Sequence, residues 1–140
     1  KNYGYIEWLS AEEMHEAILE WMSELKFIRD EQLFLNELVR SHTLQLIDDS
    51  VFDESKRIIN AISRTEQEIV HLLKRVQSHQ NLLEIMVNDV DELRMERAYL
   101  ETHWSLVYEI RNYRADYRKL KTWLFDLVSN LMKKNKRLLT

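Results

Sequence analysis

Two short segments of this sequence place a glutamate three residues before a histidine, the spacing that carboxylate-bridged di-metal helical bundles use for their ligands. They are Glu12 with His15, in EEMH, and Glu68 with His71, in EIVH. On a helix, Glu12 and His71 would point away from the apolar seam. The seams of the first two predicted helices also lack the further inward glutamates that such a centre needs. We therefore expect solvated helix faces, with no metal and no cofactor.

Two other histidines, His42 and His79, fall on the predicted seams, where protonation would place a charge in a low-dielectric layer. We interpret them as neutral core residues with hydrogen-bond partners, although a pH-sensitive core is the alternative. No serine, histidine and carboxylate are spaced as a recognisable catalytic triad. We expect a protein that is not an enzyme, and no small-molecule substrate is evident.

The composition favours long helices. The sequence has 140 residues, of which 45% are apolar and 31% charged, with no Pro, no Cys and one Gly. Such a mixture is typical of helical or coiled-coil proteins, and the length suits one domain, residues 1–140. No apolar run reaches the roughly 18 residues that span a bilayer, and no signal-peptide pattern is present. Together with the absence of Cys, this predicts a cytoplasmic location.

Apolar residues recur at alternating steps of four and three, which is the heptad pattern of coiled coils. Ser10 and Glu13 form a capping-box pattern at the start of the first helix. The pattern predicts an all-α fold, an antiparallel bundle of three long helices over about 11–46, 51–86 and 90–138, the third being the longest. Between residues 86 and 93 a continuous helix is the alternative to a turn, which we prefer because it lets one chain bury its own seams.

Polar residues interrupt the apolar seams at a few positions, and folding the helices back on one another brings these positions together. The predicted polar layers are Gln32 with Thr65, His42 with Ser55, and His79 with Arg97. A slip of one heptad would bury each polar group against hydrocarbon at a cost of roughly 1–3 kcal/mol. Such layers would therefore fix the register of the bundle.

Charge is distributed unevenly along the chain. Residues 1–54 contain 4 basic and 13 acidic residues, whereas residues 105–140 contain 9 basic and 3 acidic residues. A basic strip in the third helix consists of Arg111, Arg114, Arg118 and Lys121. It suits an anionic partner, but nucleic acid is disfavoured because the whole chain carries a net charge of −4 and its acidic first helix offers a protein partner instead.

The predicted register leaves the end of the third helix without a partner in its own chain. Residues 126–138 would extend about 20 Å beyond the other helices, at 1.5 Å per residue. The resulting partner interface consists of Trp123, Leu124, Leu127, Val128, Leu131 and Met132. An exposed apolar stripe normally marks an interface. Fraying or bending of the helix is the alternative.

These patterns predict a non-catalytic interaction or assembly module that self-associates, as a dimer, through the C-terminal part of its third helix, or that binds a helical protein. The alternative is peripheral binding to a membrane surface. In that case the apolar side of residues 121–139 would enter the lipid and the lysines of KKNKR would meet the headgroups.

Overall fold

The computed structural model describes residues 8–88 and 93–139, and these residues are almost entirely helical. The helices are α1 (Ala11–Ser41), α2 (Thr43–Leu46), α3 (Phe52–Asn88) and α4 (Leu93–Leu139). The described residues contain no strand. The predicted all-α class is therefore confirmed, with the first predicted helix divided into α1 and the short α2.

The start of α1 is the predicted capping box. The backbone N–H of Glu13 donates to Ser10 Oγ, and the Glu13 carboxylate accepts a hydrogen bond from the Ser10 backbone N–H, both at 3.0 Å. These hydrogen bonds to Ser10 hold the pKa of Glu13 below its ordinary value. Reciprocal bonding satisfies two backbone donors that the first helical turn leaves without partners.

The other end of α1 is interrupted at His42, which has φ −117° and ψ 23°. Its ring nitrogen Nδ1 lies 2.9 Å from the carbonyl oxygen of Leu38, and its backbone N–H donates to the carbonyl of Val39. Ser41 and Thr43 also donate their hydroxyls to preceding carbonyls of α1. Side chains that bond the backbone locally in this way compete with regular helix, which explains the break.

The chain divides into two compact units, each built from distant parts of the sequence. The first unit combines Lys1–Phe27 with Ile69–Tyr113, and the second combines Ile28–Glu68 with Arg114–Thr140. Each unit has its own buried apolar residues, including Ile18 and Leu106 in the first and Leu35 in the second. The assignment of residues 1–140 to one domain stays a prediction.

In the first unit, α3 and α4 lie side by side and run in opposite directions. His79 contacts His103, and Arg75, one turn earlier in α3, forms an ion pair with Glu109. Tyr99 donates its hydroxyl to the backbone carbonyl of His79 at 2.9 Å. One continuous helix would separate positions 79 and 99 by about 30 Å at 1.5 Å per residue, so that alternative is wrong. The predicted turn, with residues 89–92, lies outside the described residues.

The buried face at the beginning of α4 differs from the predicted seam. Arg97 is exposed and pairs with Glu101 on its own helix, so the predicted layer of His79 with Arg97 is wrong. Trp104 and Val107, two other predicted seam residues, are half-buried. The buried positions are Tyr99, Leu100, His103, Leu106 and Ile110. Two consecutive steps of three, from 100 to 106, rotate the apolar face before position 107 rather than after it.

In the second unit, α4 lies beside α1 in a register that leaves little overhang. The Lys121 ammonium group lies 3.0 Å from the Glu31 carboxylate, a separation of 90 positions, whereas the predicted register paired positions 79 apart. At 90 positions, Leu46 at the end of α2 is level with residue 136 of α4. The expected 20 Å projection of residues 126–138 is therefore wrong, because α4 is displaced by about three turns relative to the predicted register.

Candidate interaction surface

The predicted partner interface is mostly interior. Leu124, Leu127, Val128 and Leu131 are between 1% and 7% exposed in the isolated chain, so their apolar side chains already belong to its own core. Trp123 is half-buried and donates its indole N–H to the Glu54 carboxylate at 2.8 Å. The expectation that these five residues are uncovered is wrong, since the register of α4 places them against other helices of the same chain.

A different stripe of α4 is exposed over the same stretch. Met132, the remaining member of the predicted interface, is 56% exposed, and Phe125 is 40% exposed. Arg118, Phe125 and Met132 recur every seven residues, so they lie along one side of the helix. This side is adjacent to the buried face and carries two large apolar groups after one cation.

The exposed stripe of α4 borders a groove between α4 and α1. Glu31 and Lys121 join the two helices across this groove, and the Tyr117 hydroxyl donates to the same carboxylate at 2.8 Å. Phe34 follows Glu31 by three residues and Phe125 follows Lys121 by four, so both phenyl rings lie one turn beyond the ion pair. Phe34 is 59% exposed. Two large aromatic groups therefore lie at the same level on the two helices that form the groove.

A cavity of about 540 Å³ opens where the end of α4 meets His42 and α2. Its lining includes His42 and Gln45 on one side and Met132 and Lys133 on the other. We define the C-terminal groove as the exposed apolar residues Phe34, Phe125 and Met132 with the basic residues Arg118 and Lys133. An apolar strip with cations at both ends suits an acidic amphipathic helix.

The predicted basic strip is divided among several environments. Lys121 is held by Glu31, and Arg111 lies over the Tyr108 ring at 5.4 Å. Arg114 is half-buried, whereas Arg118 is exposed. One of the four cations, Lys121, is therefore paired with an acidic residue of α1, Glu31, within the chain. Arg118 lies seven residues before Phe125 on the exposed side of α4.

The residues of the two remaining predicted polar layers are buried or half-buried, and the pairing of Gln32 with Thr65 stays a prediction. Gln32 and Ser55 are both buried, at 3% exposure. The Thr65 hydroxyl donates to the backbone carbonyl of Ala61 at 2.9 Å, and His42 contacts the Leu38 carbonyl instead of Ser55. The expected hydrogen bond between His42 and Ser55 is therefore not the one formed. The positions are polar and buried or half-buried, as the seam pattern indicated.

A buried histidine pair lies in the first unit. Nε2 of His79 and Nδ1 of His103 are 2.9 Å apart, and the two residues are 3% and 1% exposed. The Tyr99 ring stacks on the His79 ring with their centroids 4.0 Å apart, and the ring centroids of Trp21 and His103 are 4.7 Å apart. His103 was missed by the sequence pattern, although its spacing of three from both Leu100 and Leu106 indicates the same buried face.

The histidine pair is neutral at pH 7. Burial and, to a smaller extent, the neighbouring His103 together lower the pKa of His79 from 6.5 to about 4. Burial also lowers the pKa of His103 to about 4. Burial raises the pKa of Tyr99, so that its hydroxyl stays protonated and donates. His79 Nδ1 has no hydrogen-bond partner among the described residues. We assign the shared proton to His79 Nε2, since a buried lone pair costs less than a buried N–H left without an acceptor.

The two glutamate–histidine segments do not form one centre in the structure. Glu12, His15, Glu68 and His71 are all exposed on their helices. Among residues 8–88 and 93–139, no group of three or more histidine and acidic side chains is arranged to hold a metal ion. His15 and Glu12 instead border a cavity of about 370 Å³ with Leu83 and Val87.

Comparison with known proteins does not add a relative. No family model matches this chain, and no curated protein and no solved structure matches it either. None of the helices in the described part of the chain is both long enough and apolar enough to cross a membrane.

Proposed function

We propose that this chain is a non-catalytic helical interaction module that self-associates through the C-terminal part of α4. The observation that carries the proposal is the C-terminal groove, where three large apolar side chains, Phe34, Phe125 and Met132, are 40–59% exposed beside two cations. Exposed apolar groups that cluster on one side of a helix pair, with a polar rim, are typical of protein interfaces. The contact surface is the outer side of α4 and not the buried leucines.

The module itself is proposed to be an antiparallel three-helix bundle with heptad packing. The buried residues of α3 support this proposal, because they follow one another at steps of three, four or seven. They are Ser55, Ile58, Ile62, Ile69, Leu72, Val76, His79 and Leu83. A stripe of this period is what a helix needs in order to pack lengthwise against others. Such packing would support the helices that carry the C-terminal groove.

Self-association is tested by sedimentation of the intact chain and of a variant that carries Phe125→Glu with Met132→Glu. We expect the intact chain to be a dimer or larger at micromolar concentration. We expect the variant to be monomeric with unchanged helix content, because both positions face solvent within the chain. A monomeric intact chain would contradict the proposal.

A matched control places two glutamates at exposed apolar positions of another helix, Val70→Glu with Ile85→Glu in α3. This control adds the same negative charge as the groove variant. The control variant should therefore form an assembly of the same mass as the intact chain does in sedimentation. Equal loss of association in both variants would mean that net charge, and not the groove, controls the assembly.

Binding to a membrane surface receives less support as a second function. The apolar side of residues 121–139 was expected to enter the lipid, but Leu124, Leu127 and Leu131 are buried in the chain. Docking onto lipid would require α4 to leave its own core. The exposed lysines alone would give only an electrostatic attraction to anionic lipid.

A further inference from the structure

The acidic N-terminal half of α1 carries exposed apolar groups of its own. Glu16 and Glu20 are exposed there, and Leu19 and Phe27 are 49% and 65% exposed. All four residues belong to the first unit and lie on the outer surface of α1, away from the buried positions Ile18 and Leu25 and the other residues of its core. We define this set, Glu16, Leu19, Glu20 and Phe27, as the acidic face.

The acidic face and the C-terminal groove are complementary in charge. The groove has Arg118 and Lys133 beside its apolar residues, whereas the acidic face has two carboxylates beside Leu19 and Phe27. The same opposition holds for the segments around them, since residues 1–54 have an excess of nine negative charges and residues 105–140 an excess of six positive charges. Opposite potentials favour one orientation of approach and disfavour contacts between like surfaces.

The apolar groups on the two surfaces are also similarly spaced. Leu19 and Phe27 are separated by about 12 Å along α1, and Phe125 and Met132 by about 10 Å along α4, at 1.5 Å per residue. A helix that lies lengthwise in a groove uses anchors at such intervals. Two apolar anchors of the acidic face therefore match two apolar groups of the groove in one docked arrangement.

We propose that the occupant of the C-terminal groove is the acidic face of a second copy of this chain. This inference rests on the proposed self-association and names the surface that the groove binds. Leu19 of one copy covers Met132 of the other and Phe27 covers Phe125, so that Glu16 and Glu20 lie at the level of Lys133 at about 1.5 Å per residue. Arg118 lies one heptad before Phe125 and adds to the positive potential of the groove. Every copy carries both surfaces, so the chain is self-complementary although the two surfaces differ.

Charge reversal on each surface provides the test. The acid-reversed variant carries Glu16→Lys with Glu20→Lys, and the base-reversed variant carries Arg118→Glu with Lys133→Glu. All four positions are exposed and helical, so both variants should fold. Each variant alone brings like charges together at the contact. We expect each to raise the dissociation constant for self-association at least tenfold in sedimentation equilibrium.

Mixing the two variants restores complementary charge at every contact. A lysine surface of the acid-reversed chain then meets a glutamate surface of the base-reversed chain, and the two unaltered surfaces also match. We expect the equimolar mixture to associate with a dissociation constant within about threefold of that of the intact chain. Only mixed complexes should form, which a fluorophore on one variant would show.

Two controls place the same charge changes on α3. They are Lys56→Glu with Lys74→Glu and Glu68→Lys with Glu84→Lys, and both should associate as the intact chain does. If the intact chain associates and the charge-reversed variants associate equally well, the acidic face is not the occupant of the groove. Self-association itself would not be contradicted by that result. Failure of the mixture to recover would also overturn the acidic face as occupant. A monomeric intact chain would overturn both proposals.

Discussion

At the scale of single residues, the buried histidines are the groups whose chemistry the fold changes most. His79 and His103 share one hydrogen bond in an apolar and aromatic surrounding, and the pKa of each is lowered to about 4. The rings of Trp21 and Tyr99 lie against the pair, and Arg75, one turn from His79 in α3, forms an ion pair with Glu109. Neutral histidines are thus part of the core at pH 7.

The free energy of unfolding should therefore fall as the solution is acidified from pH 6.5, the ordinary histidine pKa, to about pH 4, the pKa of both histidines in the folded chain. In the unfolded chain each ring takes up a proton near pH 6.5, whereas in the folded chain it does so only near pH 4. Below pH 6.5 the unfolded state binds more protons, so the free energy of unfolding decreases down to about pH 4. The loss is on the order of 3 kcal/mol for each ring.

The contribution of the pair is isolated by comparing the intact chain with His79→Leu/His103→Leu. Urea unfolding at pH 7 and pH 5 should show a smaller loss of stability on acidification for the double variant. Carboxylates titrate in both proteins, and their effect cancels in the comparison. An equal loss in the two proteins would show that the histidines are not buried as a neutral pair.

Replacing one histidine should lower the free energy of unfolding more than replacing both. His103→Leu alone leaves His79 Nε2 buried without its partner, at an expected cost of about 1–3 kcal/mol at pH 7. Replacement of both rings by apolar groups removes the need for the bond, although some packing against Trp21 and Tyr99 is lost. Chemical denaturation of the two variants gives the comparison, and a single variant more stable than the double one would contradict the shared bond.

At the scale of elements, α4 separates the side chains that hold the fold from those available to a partner. Its inner face, with Leu127 and Leu131, is 6–7% exposed, whereas Phe125 and Met132 on the adjacent side are 40% and 56% exposed. Neighbouring residues in the same apolar segment therefore differ in burial. The difference depends on a rotation of about 100° per residue around the helix axis.

This separation predicts opposite results for two similar pairs of substitutions. Leu127→Glu with Leu131→Glu places two carboxylates in the core, which should cost at least several kcal/mol and unfold much of the second unit. Phe125→Glu with Met132→Glu should leave the helix content and melting temperature nearly unchanged. Circular dichroism on both variants tests this, and a fully helical, stable Leu127/Leu131 variant would contradict the burial of α4.

At the scale of the whole molecule, the excess of acid in residues 1–54 and of base in residues 105–140 should make the proposed association between copies dependent on salt. Raising ionic strength from about 0.1 M to about 1 M shortens the Debye length from about 10 Å to about 3 Å. Contacts between exposed charges should weaken, while the apolar part of the contact remains. We expect the dissociation constant to rise several-fold in sedimentation, and a constant that does not respond to salt would contradict an electrostatic contribution.

The sequence by itself determined the elements of this protein. Absence of Pro, the heptad steps and the capping box at Ser10 predicted long helices, and the structure confirms an all-helical fold with α1 beginning at Ala11. These features are local, because hydrogen bonds within three or four residues and the period of the apolar positions are enough to specify them. The connection predicted between residues 46 and 51 also precedes α3 in the structure, where the Ser50 backbone N–H donates to Asp48 Oδ1 at 3.0 Å.

Only the tertiary structure decided the register between helices, and with it the candidate surface. A heptad pattern is satisfied by many alignments, since sliding one helix by seven residues restores the same apolar seam. The contact of Glu31 with Lys121 placed α4 about three turns from its predicted level, which buried Leu127 and left Phe125 exposed. The pairing of His79 with His103 instead of Arg97 has the same origin, because it depends on where two distant segments meet and not on the spacing within either one.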